Sequence, residues 1–173
     1  MTYTTESAFS FASNSLNSNF QLADAVPATV SLVKRLSTDD QLALLWYAYT
    51  EMGRSITPAA PGAARLQLAE GLLNSLKQMS HAQQLEAMRD LVERKDTPIS
   101  RSYGILSNNT KLAFWYELSE LMVQGFVVPM PPGYKPSCDV NETLATIKQL
   151  DFGQQITVLR SIVADMGVDP LVD

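Results

Sequence analysis

The chain repeats itself. Pro27 and Pro98 lie 71 residues apart, Ser37 and Ser107 lie 70 apart, and Leu112-Ala113-Phe114-Trp115-Tyr116 falls on Leu42-Ala43-Leu44-Leu45-Trp46 at the same 70-residue spacing. Met122 falls on Met52, and the run from Gln154 to Val163 falls on the run from Gln83 to Val92 at a spacing of 71. Two copies are too few for a solenoid, which needs roughly three stacked units before its core closes. The expected solution is two units, at about residues 27–96 and 98–167, closing on one another about a pseudo-twofold axis.

Each unit reads as four helices, and no segment alternates as a strand would. Pro27 suits the first turn of a helix over Ala28 to Leu36. Ser37-Thr38-Asp39-Asp40 is a capping cluster before Leu42, Leu45, Trp46, Tyr49 and Met52, which recur on one helical face, and Gly53 is expected to stop that helix. A Pro-containing link from Thr57 to Pro61 precedes helices over Gly62 to Gln78 and about His81 to Arg94, the latter capped by Ser80. In the second unit a link from Val128 to Pro136 precedes a helix from about Val140 to Leu150 and a last one containing Gln154 to Val163. Residues 1–21, rich in Ser and Asn with Phe9, Phe11 and Phe20 as sparse anchors, read as a loosely docked arm before a helical domain over 22–173.

Composition removes whole classes of function. A chain of 173 residues with 46% apolar residues can build a core without disulfides or metals. A net charge of −5 gives no broad cationic face, so nucleic acid is not an expected partner. One cysteine, Cys138, and one histidine, His81, leave little for metal sites or His-based triads, and no CxxC, phosphate loop or nucleophile elbow occurs. His81 reads as a solvated surface residue, Cys138 as an inert loop thiol, and Glu51, Glu117 and Glu120, lacking nucleophilic or basic partners, as outer helix faces. An enzyme is not expected. No Lys or Arg precedes Lys34, which argues against a secretory leader, and the longest aromatic-aliphatic run, Leu42 to Tyr49, is far short of the ~20 residues of a membrane span. A cytoplasmic protein that does not cross a membrane is expected.

Six of the fourteen aromatic residues lie in the two corresponding segments, Trp46-Tyr47-Tyr49 and Phe114-Trp115-Tyr116. Aromatic stripes at helical spacing are usually core. Here the repeat brings both stripes to the interface between units, and methionines, which accommodate irregular apolar guests, recur at Met52, Met79, Met88, Met122, Met130 and Met166. Polar Thr157 and Arg160 flank the stripe of Ile156, Leu159, Val163 and Met166. A long apolar ligand with a polar end accounts for all three features.

Five runs, DQLALLWYAYTEMG (Asp40 to Gly53), AAPGAA (Ala59 to Ala64), DTPISRSYG (Asp96 to Gly104), KLAFWYEL (Lys111 to Leu118) and GQQITVLRSIVADMG (Gly153 to Gly167), occur in an order that closely resembles the N-terminal, carotenoid-binding domain of the cyanobacterial orange carotenoid protein. The resemblance spans about residues 22–168, and a chain ending at Asp173 without the second domain is similar to the stand-alone helical carotenoid proteins. It implies an all-α fold of two interleaved four-helix bundles around a central tunnel for one keto-carotenoid of the canthaxanthin or echinenone type. The tunnel residues it implies are Leu42, Leu45, Trp46, Tyr49, Gly62, Met88 and Arg89 from the first unit. From the second unit it implies Leu112, Trp115, Tyr116, Met122, Met130, Tyr134, Thr157, Arg160, Val163 and Met166. Arg160 matches an arginine implied in docking to the light-harvesting antenna, whereas Arg89 stands where better-known members carry a small residue such as cysteine. A chloride ion belongs to the parent family, but no residue set here places it.

A C40 polyene is about as long as a 20-residue helix, ~30 Å, so only a tunnel through the whole domain would hold it. At roughly −0.3 kcal/mol per heavy atom, ~40 atoms give about −12 kcal/mol, near nanomolar affinity for a dry, preformed site. The function implied is photoprotection by a carotenoid carrier that quenches singlet oxygen. Two alternatives stand beside it: a constitutive quencher of phycobilisome excitation, peripheral to the thylakoid through that antenna, and a helical interaction scaffold whose stripes are only core. A separate homologue of the absent C-terminal domain is a further implied partner, as pigment donor or regulator.

Overall fold

The computed structural model describes the backbone of residues 24–56 and 66–172. The expected arm, the link from Thr57 to Pro61 and the expected tunnel residue Gly62 lie outside the described residues. Among the described residues there are eight helices and no strand. They are α1 (24–35), α2 (Thr38–Ile56), α3 (Leu66–Lys77), α4 (His81–Glu93), α5 (Pro98–Gly104), α6 (Asn108–Gln124), α7 (Cys138–Gln149) and α8 (Phe152–Ala164).

Local chemistry sets the helix starts. The Ser37 hydroxyl accepts from Asp40 N at 3.2 Å, and the Ser107 hydroxyl, its counterpart 70 residues on, accepts from Thr110 N at 3.2 Å. Ser80 and Asp151, 71 residues apart, each form a reciprocal capping box with the Gln three positions later. Thr97 caps α5, with Pro98 in the first turn where its missing N–H costs nothing. At the other ends, Gly125 closes α6 in the left-handed region at φ 80°. Gly53 does not do the same for α2, which runs through it to Ile56. A helix-interior glycine costs only ~1 kcal/mol relative to alanine, too little by itself to stop a helix. Cys138 is likewise not in a loop: it is the first residue of α7, capped by Ser137, and its thiol is exposed.

The packing pairs follow the repeat. α2 packs on α4, and its counterpart α6 packs on α8; α2 packs on α7 of the other unit, and α6 packs on α3; α2 and α6 pack on each other. The aromatic stripes therefore meet where the two equivalent helices cross, and each unit completes its packing with a helix of the other.

Polar groups pin this core. Gln84 is buried; its amide donates to Leu76 O at 3.0 Å and Phe126 O at 3.1 Å and accepts from Val128 N at 2.8 Å, fixing the start of the 126–137 connection. Gln155, 71 residues on, makes the matching bond to Ile147 O at 3.2 Å but turns otherwise to Leu150 O at 3.1 Å. Lys111 is buried and donates to Ala164 O at 2.9 Å, so a cation sits at the negative end of α8, with its Nζ 5.0 Å from the centre of the Tyr103 ring. Desolvation lowers its pKa. The chain after α8 folds back over α5: Gly167 N bonds Leu91 O at 2.9 Å and Val168 N bonds Ser100 O at 3.1 Å. This approach is close enough that a Cβ on Gly104 would stand 2.0 Å from Val168 O.

Candidate functional site

A cavity of about 240 Å³ lies between α2, α4, α6 and the 128–134 connection. α2 supplies Leu42, Leu45, Trp46 and Tyr49 at helical spacing, α4 supplies Met88 and Arg89, α6 supplies Trp115 and Met122, and the connection supplies Met130 and Tyr134. The structure thus brings ten of the expected tunnel residues to one wall. Beside it, past Trp46, Met122 and Tyr134, lies a more open groove that reaches Tyr47, Val123 and Gly133.

Six expected residues lie elsewhere. Leu112, Val163 and Met166 are packed in the core, Tyr116 is half-buried against it, and Thr157 is exposed with its hydroxyl on Gly153 O at 2.8 Å. Arg160 is half-buried on α8, and its Nε is buried without a hydrogen-bond partner among the described residues. None of the six lines the cavity. The methionines divide in the same way, since Met88, Met122 and Met130 face the cavity while Met52, Met79 and Met166 pack with the core.

Several wall residues escaped the sequence reading. Leu118 and Ser119 follow Trp115 by three and four residues and lie on its helical face, so continuing the α6 stripe finds them. Leu85 precedes Met88 and Arg89 by the same spacings. Val128, Pro129 and Pro131 come from an irregular connection whose position depends on Gln84, and no periodicity announces them.

The two deep aromatics are held by buried hydrogen bonds. Tyr49 OH donates to Leu112 O at 3.0 Å. Trp115 Nε1 donates to Tyr103 Oη at 2.9 Å, and Tyr103 OH donates in turn to Val163 O at 2.7 Å. Burial pushes both phenols well above their ordinary pKa, so they stay neutral donors. Trp46 differs: its ring stands edge-on to Tyr47 at 5.1 Å between centroids, and its Nε1 is buried with no hydrogen-bond partner among the described residues. A buried donor left unmet costs about 1–3 kcal/mol, which an acceptor on a guest would recover.

At the rim, Arg89 grips Asp39 with two bonds, Nε to Oδ1 at 2.8 Å and Nη2 to Oδ2 at 3.0 Å. The guanidinium hydrogen bonds hold the Asp39 carboxyl below its ordinary pKa. Among the described residues that line the cavity these two are the only charges. The described residues also contain no group of three His, Cys, Asp or Glu placed to hold a metal ion, and no helix long and apolar enough to cross a membrane. The volume lies below the ~300–1,000 Å³ that takes a small organic ligand, so a guest of that size or larger must continue beyond it.

Residues 19–169 match the family model described as orange carotenoid protein, N-terminal. An orange carotenoid-binding domain-containing protein of Nostoc sp. is 68% identical over 173 residues, covering 100% of both chains. The orange carotenoid-binding protein of Synechocystis sp. is 52% identical over 96% of this chain but only 51% of its own, so the chain spans about half of that longer relative. Among solved structures, the orange carotenoid protein of Anabaena (Nostoc) sp. binding canthaxanthin matches with a TM-score of 0.77 and 53% identity, over 86% of this chain and 48% of that one. The red carotenoid protein of the same organism binding canthaxanthin matches with a TM-score of 0.75 and 44% identity, over 82% of this chain and 97% of that one. The apolar cavity where the repeated helices cross therefore belongs to a member of the carotenoid-binding family built on the N-terminal domain of the orange carotenoid protein.

Proposed function

We propose that this chain binds one keto-carotenoid, of the canthaxanthin or echinenone type, in a tunnel between two interleaved four-helix bundles, and serves as a photoprotective carrier and singlet-oxygen quencher. The observation that carries the reading is the cavity at the α2–α6 crossing, walled by Trp46, Tyr49, Trp115 and three methionines. When bound, the polyene supplies the excited-state chemistry. The protein's part is shape and position. Tyr49 and Trp115, fixed by bonds to Leu112 O and Tyr103, offer rigid faces for stacking, while Met88, Met122 and Met130 adjust to the irregular outline of an end ring. Leu42, Leu45, Leu85 and Leu118 exclude water from the same space.

Leu112, Tyr116, Thr157, Arg160, Val163 and Met166, away from this cavity, lie on or just after α6 and α8, which pack on each other, and the proposed tunnel assigns them to the rest of the path of a ~30 Å guest. Expression in a host that makes keto-carotenoids tests the reading. A coloured protein with a spectrum distinct from the free pigment is expected, and a colourless product with all pigment left in the membranes refutes it.

A second reading, docking to the phycobilisome and peripheral association with the thylakoid, draws on Arg160, a half-buried arginine whose Nε has no hydrogen-bond partner among the described residues. Pigmented protein added to isolated phycobilisomes is expected to lower their fluorescence, with the loss abolished by Arg160→Leu. Unchanged fluorescence leaves a cytoplasmic carrier, for which a separate homologue of the C-terminal domain is the natural donor or acceptor of pigment.

A further inference from the structure

We propose that Arg89, held in place by Asp39, determines which end group the cavity accepts, favouring a neutral ring oxygen such as a carbonyl over the same hydrocarbon without it. The inference rests on the carotenoid reading above and goes beyond it by assigning a residue to the choice of pigment.

Arg89 comes from α4 and Asp39 from the first turn of α2, so the pair bridges two helices at the cavity wall. Its double bond, 2.8 and 3.0 Å, uses Nε and Nη2 and fixes the plane of the guanidinium. The two N–H groups of Nη1 and the second of Nη2 are left. Nη1 stands 3.8 Å from Glu86 Oε2, within ion-pairing range but beyond a hydrogen bond. The Arg89 side chain is 35% exposed and lines the cavity, so an end group seated against it would displace water from its free N–H groups. A guest with a carbonyl there supplies an acceptor, whereas an all-hydrocarbon ring leaves the donor unmet. Sites built to hydrogen-bond a substrate discriminate for this reason far more sharply than apolar pockets do.

The charge balance narrows the class further. The Arg89 charge is already matched by Asp39, whose pKa is held down by the pair, and Glu86 adds a second negative group nearby. A guest ending in a carboxylate would bring a further negative charge against both. A neutral carbonyl meets the donor without that repulsion. The other orphan donor, Trp46 Nε1, stands seven residues further along α2, roughly 10 Å along the axis, and serves a different part of the guest. The Ser119 hydroxyl is committed to Tyr116 O at 2.7 Å.

The test loads the full chain and Arg89→Met, which keeps length and loses the donors, in hosts that supply canthaxanthin and β-carotene together. The unsubstituted protein is expected to enrich canthaxanthin about tenfold over supply. R89M is expected to carry as much total pigment with the enrichment close to one, and melting curves establish that it is folded. A second measurement needs no variant: a carbonyl stretch of bound canthaxanthin should move to lower frequency than in an aprotic solvent. Enrichment preserved in R89M, or an unshifted carbonyl, overturns the proposal. Equal uptake of both pigments by the unsubstituted protein refutes the selectivity and leaves the carotenoid reading standing, and uptake of neither brings down both.

Discussion

Tyr103 does not touch the cavity, yet Trp115 depends on it. In Tyr103→Phe the ring and its packing remain, but Trp115 Nε1 loses its acceptor at 2.9 Å and Val163 O loses a donor at 2.7 Å, both in the buried core. One hydrogen bond forgone and one buried indole N–H left unmet together cost about 2–4 kcal/mol. The Val163 carbonyl, near the end of α8, keeps the N–H of Asp165 as a partner, so it adds little. For a chain of this size each kcal/mol lowers Tm by about 2–4 °C, which puts the expected shift near 10 °C. Thermal and urea unfolding followed by far-UV circular dichroism read it directly, and Trp fluorescence reports the freed indole. Tyr116→Phe is the control, because Tyr116 is half-buried and its side chain has no polar partner among the described residues; it should stay within about 0.5 kcal/mol. If Y103F melts within 2 °C of the unsubstituted protein, on the order of 0.5 kcal/mol by the same conversion, the Trp115–Tyr103–Val163 relay is not what fixes Trp115.

Two glycines should respond oppositely to the same change. Gly104→Ala puts a Cβ against the Val168 carbonyl and is expected to destabilise the chain by several-fold more than kT, or to release the segment after α8 to proteolysis; Gly71→Ala, in mid-α3 with open space around it, should stabilise by about 0.5–1 kcal/mol, and denaturant midpoints compare them. Lys111 is charged in a buried site and its pKa is lowered, so the unfolded chain binds its proton more readily between that value and the ordinary 10.5, and stability should rise with pH through this window. Unfolding of Lys111→Met across the same pH range should lack that component. For Asp39 the sign is the same but the window is acidic: with its folded pKa held below 3.8 by Arg89, its contribution is present above that pH and is lost as pH falls through the folded value. Asp39→Asn should remove the acid limb at a cost of no more than about 1 kcal/mol, since the pair is largely in solvent.

Most of the fold could be read from the repeat, because capping chemistry is local. Ser37 and Ser107 announce α2 and α6 whatever surrounds them, and the capping boxes at Ser80 and Asp151 do the same for α4 and α8. Gly53 was misleading for the complementary reason: one helix-interior glycine costs too little to end a helix on its own. The cavity was legible where it lies on helices, through Trp46, Tyr49, Trp115 and Met122, and illegible along Val128 to Pro131, whose place is set by a glutamine more than 40 residues earlier. Lys111 was read only as part of a family run. Nothing in its neighbours along the chain shows that it reaches the carbonyl end of α8, a contact 53 residues away.

Gln84 reaches from α4 to the 126–137 connection, clasping Phe126 and Val128, and so holds the wall that Val128, Pro129 and Met130 give the cavity. A flat, symmetric polyene such as canthaxanthin has no handedness of its own, and in this host it would meet chiral walls. Bound pigment should then be optically active in its visible band, with a sign fixed by the protein and lost on denaturation, and Gln84→Leu, by slackening the wall it holds, should change the amplitude of that signal.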